Sequence, residues 1–200
     1  MSSSEEGLPM QLATDVRGHF PMLVLAYQHK LFALACSLVG NQQDAEEIVQ
    51  DAFFCAYQAL MRYPIQQVQT LKIRPWMTKI VLNLSRNYHR RHNSKYAPTL
   101  VSFDAPLGQT LVESVEEKAH PSPEMEMLSR ESSNELLAQI ANLPGRYREV
   151  VSLRFIYGLP YCEIATILNH HSIDTVKSQA RRGLEMLKHS MNKEEGLRYD

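Results

Sequence analysis

Two hundred residues, 44% of them hydrophobic, allow one or two small packed domains. Twenty-one basic and 22 acidic side chains leave a net charge of −1, which excludes a uniform polycation, so a nucleic-acid binder of this balance must segregate its charges. Cys36, Cys55 and Cys162 are widely spaced, form no CxxC and sit in apolar helical patterns, so they read as reduced thiols of a cytoplasmic protein.

Residues 1–14 read as a flexible leader, without the basic and apolar regions of a signal peptide. No apolar run reads as long enough to span a membrane. A helix is expected from Pro21 to Val39, burying Val24, Tyr27, Leu31, Ala35 and Leu38, with Gly40 ending it. Asp44 is placed to cap the next helix. There Ala45, Ile48, Val49, Ala52, Phe53, Ala56, Tyr57 and Leu60 recur at helical spacing, and the other face carries Glu46, Glu47, Gln50, Asp51 and Phe54. Four acidic groups between 44 and 51 exceed what one helix dipole needs. An exposed Phe54 beside them points to a protein-binding surface, against the plainer reading of a solvated face.

Pro64 stops that helix, and residues 63–74 read as a loop. Pro75 suits the first position of a new helix. Trp76, Met77, Ile80, Val81, Leu84 and Tyr88 form its apolar face. Lys79, Asn83, Arg86 and Arg90 fall at offsets 0, 4, 7 and 11 on a second stripe that leads into Arg91 and His92. Cations in such a stripe, next to Tyr63 and Trp76, suit a single strand of DNA: the charges track phosphate and the rings receive unstacked bases. The alternative is again a solvated face, with Trp76 packed in the core.

Residues 96–126 contain Pro98, Pro106, Pro121 and Pro123 and five glutamates, the composition of an extended acidic linker. It divides residues 15–95 from residues 127–190. The second domain starts with a helix carrying Leu136, Leu137, Ile140 and Leu143. Another opens at Pro144, with Tyr147, Val150, Val151 and Phe155 inward, and closes at Gly158. A helix from Tyr161 to Leu168 and a turn at Asn169, His170 and His171 follow. Ser172 caps a last helix with Ile173, Val176, Ala180, Leu184 and Leu187 inward. Thr175, Lys177, Ser178, Arg181 and Arg182 lie on its free face. Two short helices around such a turn, the second basic on its free face, describe a helix-turn-helix. Residues 191–200 read as a fraying tail.

The segments DAEEIVQDAFFCAYQAL at 44–60, PWMTKIVLNLSRNYHRR at 75–91 and residues 143–188 resemble regions two and four of the sigma factors of bacterial RNA polymerase. The two-domain form with a short linker is similar to the extracytoplasmic-function group. The resemblance implies an all-α protein of two small helical domains, without catalysis or cofactor, that directs promoter recognition and melting. It implies that Glu47, Gln50 and Asp51, with Phe54 beside them, bind core polymerase (its beta and beta-prime subunits). It implies that Lys79, Asn83, Arg86 and Arg90 contact the minus-ten element, with residues 63–74 as the base-capturing loop. Thr175, Lys177, Ser178, Arg181 and Arg182 would then read the minus-thirty-five element of promoter DNA. The linker would follow the RNA-exit path, and an anti-sigma protein would be a further partner. Leu82 and Gln179 depart from the family's pattern.

A competing reading is a one-component regulator whose residues 15–95 sense a ligand or dimerise. Such a domain needs a pocket rather than an acidic protein-binding helix beside a basic one. A metal site would have to be built on His89 and His92 or on His170 and His171. These lack cysteines or carboxylates at ligand spacing, so no metal is expected.

Overall fold

The computed structural model describes residues 7–93 and 133–197, which are helical apart from short connections, with no strand among them. The leader and the linker expected at 96–126 fall differently: the linker lies outside the described residues, whereas residues 8–14 form helix α1 (Leu8–Thr14). Leu8 and Leu12, four apart, are buried on one face of α1, and Pro9 sits in the first turn, where its missing N–H costs no bond. The flexible leader is thus corrected for this stretch. By contacts the chain divides into two compact units, Met1–Ala35 with Gln43–Leu111 and Cys36–Gln42 with Val112–Asp200. Cys36–Gln42 therefore group with the second unit, where the sequence reading leaves them in the first.

In the first unit a single extended residue, Asp15 (φ −149°, ψ 100°), separates α1 from α2 (Val16–Val39). The Asp15 carbonyl accepts the His19 N–H at 3.2 Å, so α2 is already under way before Pro21, which lies inside it. The proline removes one bond, and the carbonyl it leaves belongs to exposed Arg17, where water can serve it. α2 is long and apolar enough, by length and composition alone, to cross a membrane, which the sequence reading missed. Its Leu23, Tyr27, Leu31 and Leu34 are buried at helical spacing, the pattern of a core helix. Gly40 (φ +79°) ends this helix as expected, its N–H reaching the Cys36 carbonyl at 2.8 Å.

α3 (Gln42–Leu60) buries Ala45, Ile48, Val49, Ala52, Phe53, Ala56 and Leu60. Phe20 of α2 sets its ring edge-on against Phe53 and Tyr57 at 6.3 and 5.1 Å. α3 starts before Asp44, so Asp44 lies in its first turn instead of capping it. The loop expected at 63–74 contains α4 (Ile65–Gln69), which buries Val68 and packs against α1. α5 (Ile73–Asn93) likewise starts before Pro75, its first bond running from Trp76 N–H to the Lys72 carbonyl at 3.1 Å. Pro75 remains within the first turn, whose amides need no partner in the helix. Trp76, Met77, Ile80, Val81 and Leu82 are buried on α5, so Trp76 is core. Thr78 and Ser85, also buried, donate to the carbonyls of Arg74 and Val81 four residues back.

In the second unit α6 covers residues 133–141, and α7 (Gly145–Val151) runs without a break into a π turn (Ser152–Ile156). Arg148 donates to the Ala141 carbonyl at 2.7 Å and so satisfies the end of α6. The π turn closes through Tyr157 N–H to the Ser152 carbonyl at 3.0 Å, a pairing five residues apart. The extra residue shifts the helix phase. Leu153 and Tyr157 face the core, and Phe155, expected inward, is exposed. Leu136, also expected inward, is exposed on α6. Gly158 (φ +75°) turns the chain into α8 (Tyr161–Ile167). Asn169 adopts φ +55° in the turn before α9 (Ile173–Leu197).

α9 packs against α7 and α8. Its buried seam is Val176, Ala180, Gly183 and Leu187. Ile173 and Leu184, expected in that seam, are exposed. The seam follows Gly183 because it has no side chain: a Cβ there would lie 2.6 Å from Val151 Cγ2. The two helices approach too closely for anything larger. Ile140, Leu143, Tyr147, Val151 and Leu187 form the core of this unit. The helix also continues through the expected fraying tail to Leu197, and Ser190 Oγ is tied to Gln139 Oε1 at 3.0 Å.

Candidate protein and nucleic-acid interfaces

The residues of α3 separate by helical phase. While the apolar set is buried, Glu46, Glu47, Gln50, Asp51 and Phe54 are all exposed, Phe54 at 61%. A large exposed ring on a face that also carries three carboxylates suits a partner that is apolar and cationic. Sequence and structure agree on this face. Cys55 at its edge is a poor nucleophile: burial, and then the Asp51 carboxylate, push its thiol pKa up.

On α5, Lys79 and Asn83 are half-buried and Arg86 and Arg90 exposed. The helix therefore carries the four groups on one flank, rising out of the unit towards its C-terminal end. Arg90 is steadied by Asn87 Oδ1 at 3.1 Å. A feature the sequence reading missed lies beside it. Tyr88 donates its hydroxyl proton to Asp44 Oδ2 at 2.7 Å, joining α5 to the first turn of α3. Burial first, and then the bond to the Asp44 carboxylate and its charge, push the Tyr88 pKa up to about 12. The same ring contacts His92 at 4.0 Å and His89 at 5.4 Å, which orders the basic end of the helix. No signal in the sequence pairs Tyr88 with a residue 44 positions away; only the packing of α3 on α5 does.

The segment 63–74 borders an open cleft of about 350 Å³, at the small end of the usual range for ligand clefts, roughly 300–1,000 Å³. Leu12, Leu60 and Val68 are its buried apolar walls, and Asp15, Arg17 and Tyr63 also line it. Tyr63 leans on Trp76, with ring centroids 6.3 Å apart and planes tilted by 53°. Reasoning from sequence missed Asp15 and Arg17. The signal available was Asp15 standing just before an apolar run, a helix-start signature that Pro21 obscured.

In the second unit Ser172 Oγ accepts the Asp174 N–H at 3.1 Å, so it caps α9 as expected. Thr175, Lys177, Ser178, Arg181 and Arg182 are exposed together on its first three turns. Lys177 pairs with Asp174 at 3.5 Å and Arg181 with Glu185 at 3.7 Å. Exposed pairs of this kind are worth at most about 1 kcal/mol, so phosphate or a base edge can displace them. Gln179 leaves this face: it is half-buried, and its Oε1 finds no hydrogen-bond partner in the interior. Among the described residues no three His, Cys, Asp or Glu side chains gather as metal ligands.

The Sigma-70 region 2 family model matches residues 23–95, and the Sigma-70 region 4 model matches residues 133–187. The chain is 31% identical over 173 residues to the ECF RNA polymerase sigma factor SigW of Bacillus subtilis, covering 84% of this chain and 87% of that protein. It is 30% identical over 172 residues to the RNA polymerase sigma-H factor of Pseudomonas aeruginosa, covering 84% and 83%. It is 30% identical over 168 residues to the ECF RNA polymerase sigma-E factor of Escherichia coli, covering 84% of each. Among solved structures, CnrH in complex with the cytosolic domain of CnrY has the same fold, with a TM-score of 0.63 at 21% identity, covering 96% of this chain and 99% of that one.

Proposed function

This chain belongs to the sigma-70 family of RNA polymerase sigma factors, in its extracytoplasmic-function (ECF) group, and directs promoter recognition; we propose how its residues divide that work. Glu47, Gln50, Asp51 and Phe54 bind core polymerase, its beta and beta-prime subunits. Lys79, Asn83, Arg86 and Arg90 hold the minus-ten element, with residues 63–74 receiving unstacked bases. Thr175, Lys177, Ser178, Arg181 and Arg182 read the minus-thirty-five element from the major groove. The acidic stretch 96–126 threads the RNA-exit path between the two. The protein works in the cytoplasm and makes no insertion into the membrane. It is held in check by a protein inhibitor of the anti-sigma kind, a reading supported by the solved relative bound to a second protein's cytosolic domain.

The observation that carries this division is charge segregation on folded faces. A chain of net charge −1 exposes an acidic flank with Phe54 on α3, and two basic flanks on α5 and α9. The sigma assignment sets aside the one-component regulator. Transcription in vitro tests the division: purified protein and core polymerase are supplied with genomic fragments and the start sites mapped. Starts that depend on this chain, and are lost on alanine substitution at each of the three faces, are expected. If substituting all five residues of the α9 face leaves start-site choice unchanged, the upstream assignment is wrong.

A further inference from the structure

We infer that Asp174 is a specificity-determining residue of the upstream contact: its carboxylate selects a cytosine by accepting a hydrogen bond from that base's exocyclic amine. The inference rests on the reading of α9 as the helix that enters the major groove, and adds to it a residue that reads a donor. Asp174 is the second residue of α9 and the acid of its first turn. It stands seven residues before Arg181, about 20° away in helical phase, with Lys177 and Ser178 at the i+3 and i+4 places between them. It therefore lies in the stripe of cations and hydroxyls, with a charge opposite to theirs.

The local geometry leaves this carboxylate available. Ser172 Oγ accepts the Asp174 N–H at 3.1 Å, so the cap of α9 does not use the Asp174 side chain. That side chain is 88% exposed and pairs with Lys177 Nζ at 3.5 Å, an exposed pair that DNA can exchange. The N-terminal residues of a recognition helix are the ones that reach base edges. Backbone phosphates repel a carboxylate, so one carried into the groove is tolerated only where it meets a donor. The major groove offers two such donors, the amines of cytosine and adenine. Adenine sets its N7 acceptor beside the amine, guanine presents acceptors alone, and thymine presents a carbonyl and a methyl group. An ionised carboxylate only accepts, so cytosine is the base it fits. A plainer role, favourable charge at the positive end of the helix, would steady α9 but would not distinguish one base from another.

The test uses the full chain bound to core polymerase and a promoter duplex. Its upstream element carries each of the four base pairs at every position in turn, and affinities are measured by competition. At one position of one strand the wild type should prefer cytosine by roughly 5- to 100-fold, the range of one good base contact. Asp174→Ala should bring that ratio close to one and leave the other positions as in the wild type. Asp174→Asn should move the preference at the same position to adenine, because an amide pairs with both N6 and N7 of that base. Helix stabilisation alone would change all four base pairs alike. The wild-type protein gives an independent measure. N4-methylcytosine still pairs with guanine but turns its methyl group into the groove in place of the amine hydrogen. It should cost the wild type the same factor as Asp174→Ala and leave the alanine variant indifferent. Preferences unchanged in Asp174→Ala, a loss spread evenly over all base pairs, or a wild type indifferent to N4-methylcytosine overturns the inference. Arg181→Ala and Arg182→Ala separate it from its premise. If either relaxes preference at its own position while Asp174→Ala relaxes none, only the role of Asp174 falls. If none of the three changes any preference, α9 itself has been misassigned as the reader.

Discussion

Replacing Gly183 by alanine should destabilise the second unit, although alanine is the better helix former. The new Cβ would sit 2.6 Å from Val151 Cγ2, 3.4 Å from Tyr147 Cβ and 3.7 Å from the Tyr147 carbonyl oxygen. Val151 is 1% exposed, and a valine in a helix has one strongly preferred rotamer, so its methyl group cannot turn away. α7 and α9 must separate instead. Overfilling a packed core costs about 1–3 kcal/mol, and exchanging glycine for alanine inside a helix returns about 1 kcal/mol. With the neighbour pinned, the net loss should be about 1–2 kcal/mol. Urea unfolding of the full chain by far-UV circular dichroism reads it. Trp76, the chain's only tryptophan, lies in the first unit, so its fluorescence is an internal control that should not move. Val151→Ala combined with Gly183→Ala should recover part of the loss, because it removes the colliding methyl, giving a coupling energy of favourable sign. A Gly183→Ala protein as stable as the wild type, or strict additivity in the pair, would refute the argument from close approach.

Tyr88→Phe should cost about 1–2 kcal/mol, since a hydrogen bond to a charged acceptor is worth about 1.5–3 kcal/mol and this one is only partly shielded from water. The Tyr88 pKa is raised in the folded state, so its contribution is complete below about pH 10 and is lost as pH rises through about 12; urea midpoints across that window should fall more steeply for wild type than for the phenylalanine variant. The triple substitution Glu47→Ala, Gln50→Ala and Asp51→Ala should leave the circular dichroism spectrum unchanged yet abolish co-purification with core polymerase, each interfacial charge being worth on the order of 2–5 kcal/mol if buried there. On α9, Arg181→Ala or Arg182→Ala should relax preference at one base position by about 1–3 kcal/mol, whereas Lys177→Ala should weaken all duplexes equally and lower the salt slope by about one. A salt series against a scrambled duplex distinguishes these two signatures, and identical behaviour of all three variants would contradict the assignment.

The exposed faces were legible because they follow from phase alone. Once Ala45, Ile48, Val49 and Ala52 are committed to the core, Glu47, Gln50 and Asp51 have nowhere to go but outward, and the same holds for Lys177 and Arg181 opposite Val176 and Ala180. The misreadings all sit where a local rule is overridden by packing. Pro21 and Pro75 read as helix starts, but each helix begins earlier because a carbonyl upstream, of Asp15 or Lys72, is free to accept its first bond. Residues 8–14 read as a leader because two leucines in seven residues make a faint stripe, and the packing of α1 on α4 is not visible in the sequence. Leu184 reads as a core residue by spacing, but the approach of α7 gives that place to Gly183 and leaves Leu184 exposed. The Tyr88–Asp44 bond and the cleft at Asp15 join residues far apart in the chain, and no periodicity reports such a meeting.

The π turn at Ser152–Ile156 makes the aim of α9 a matter of counting. In an α-helix each residue advances the phase by about 100°, and the five-residue pairing at Ser152 absorbs one residue more than the α register would. That surplus turns Phe155 outward and Leu153 inward, and the chain then leaves the turn under tight control. Leu159 N–H is held by the Leu153 carbonyl at 2.9 Å, and Arg154 reaches the Leu159 carbonyl at 3.1 Å. Dropping one residue here would preserve composition, charge and helix content almost entirely. It would also rotate the exit of the helix by roughly a quarter turn, and α8 and α9 would leave α7 from a different side. A one-residue deletion between 152 and 156 is therefore a change of angle more than a loss of material. Across relatives, the length of this stretch should vary less freely than its sequence.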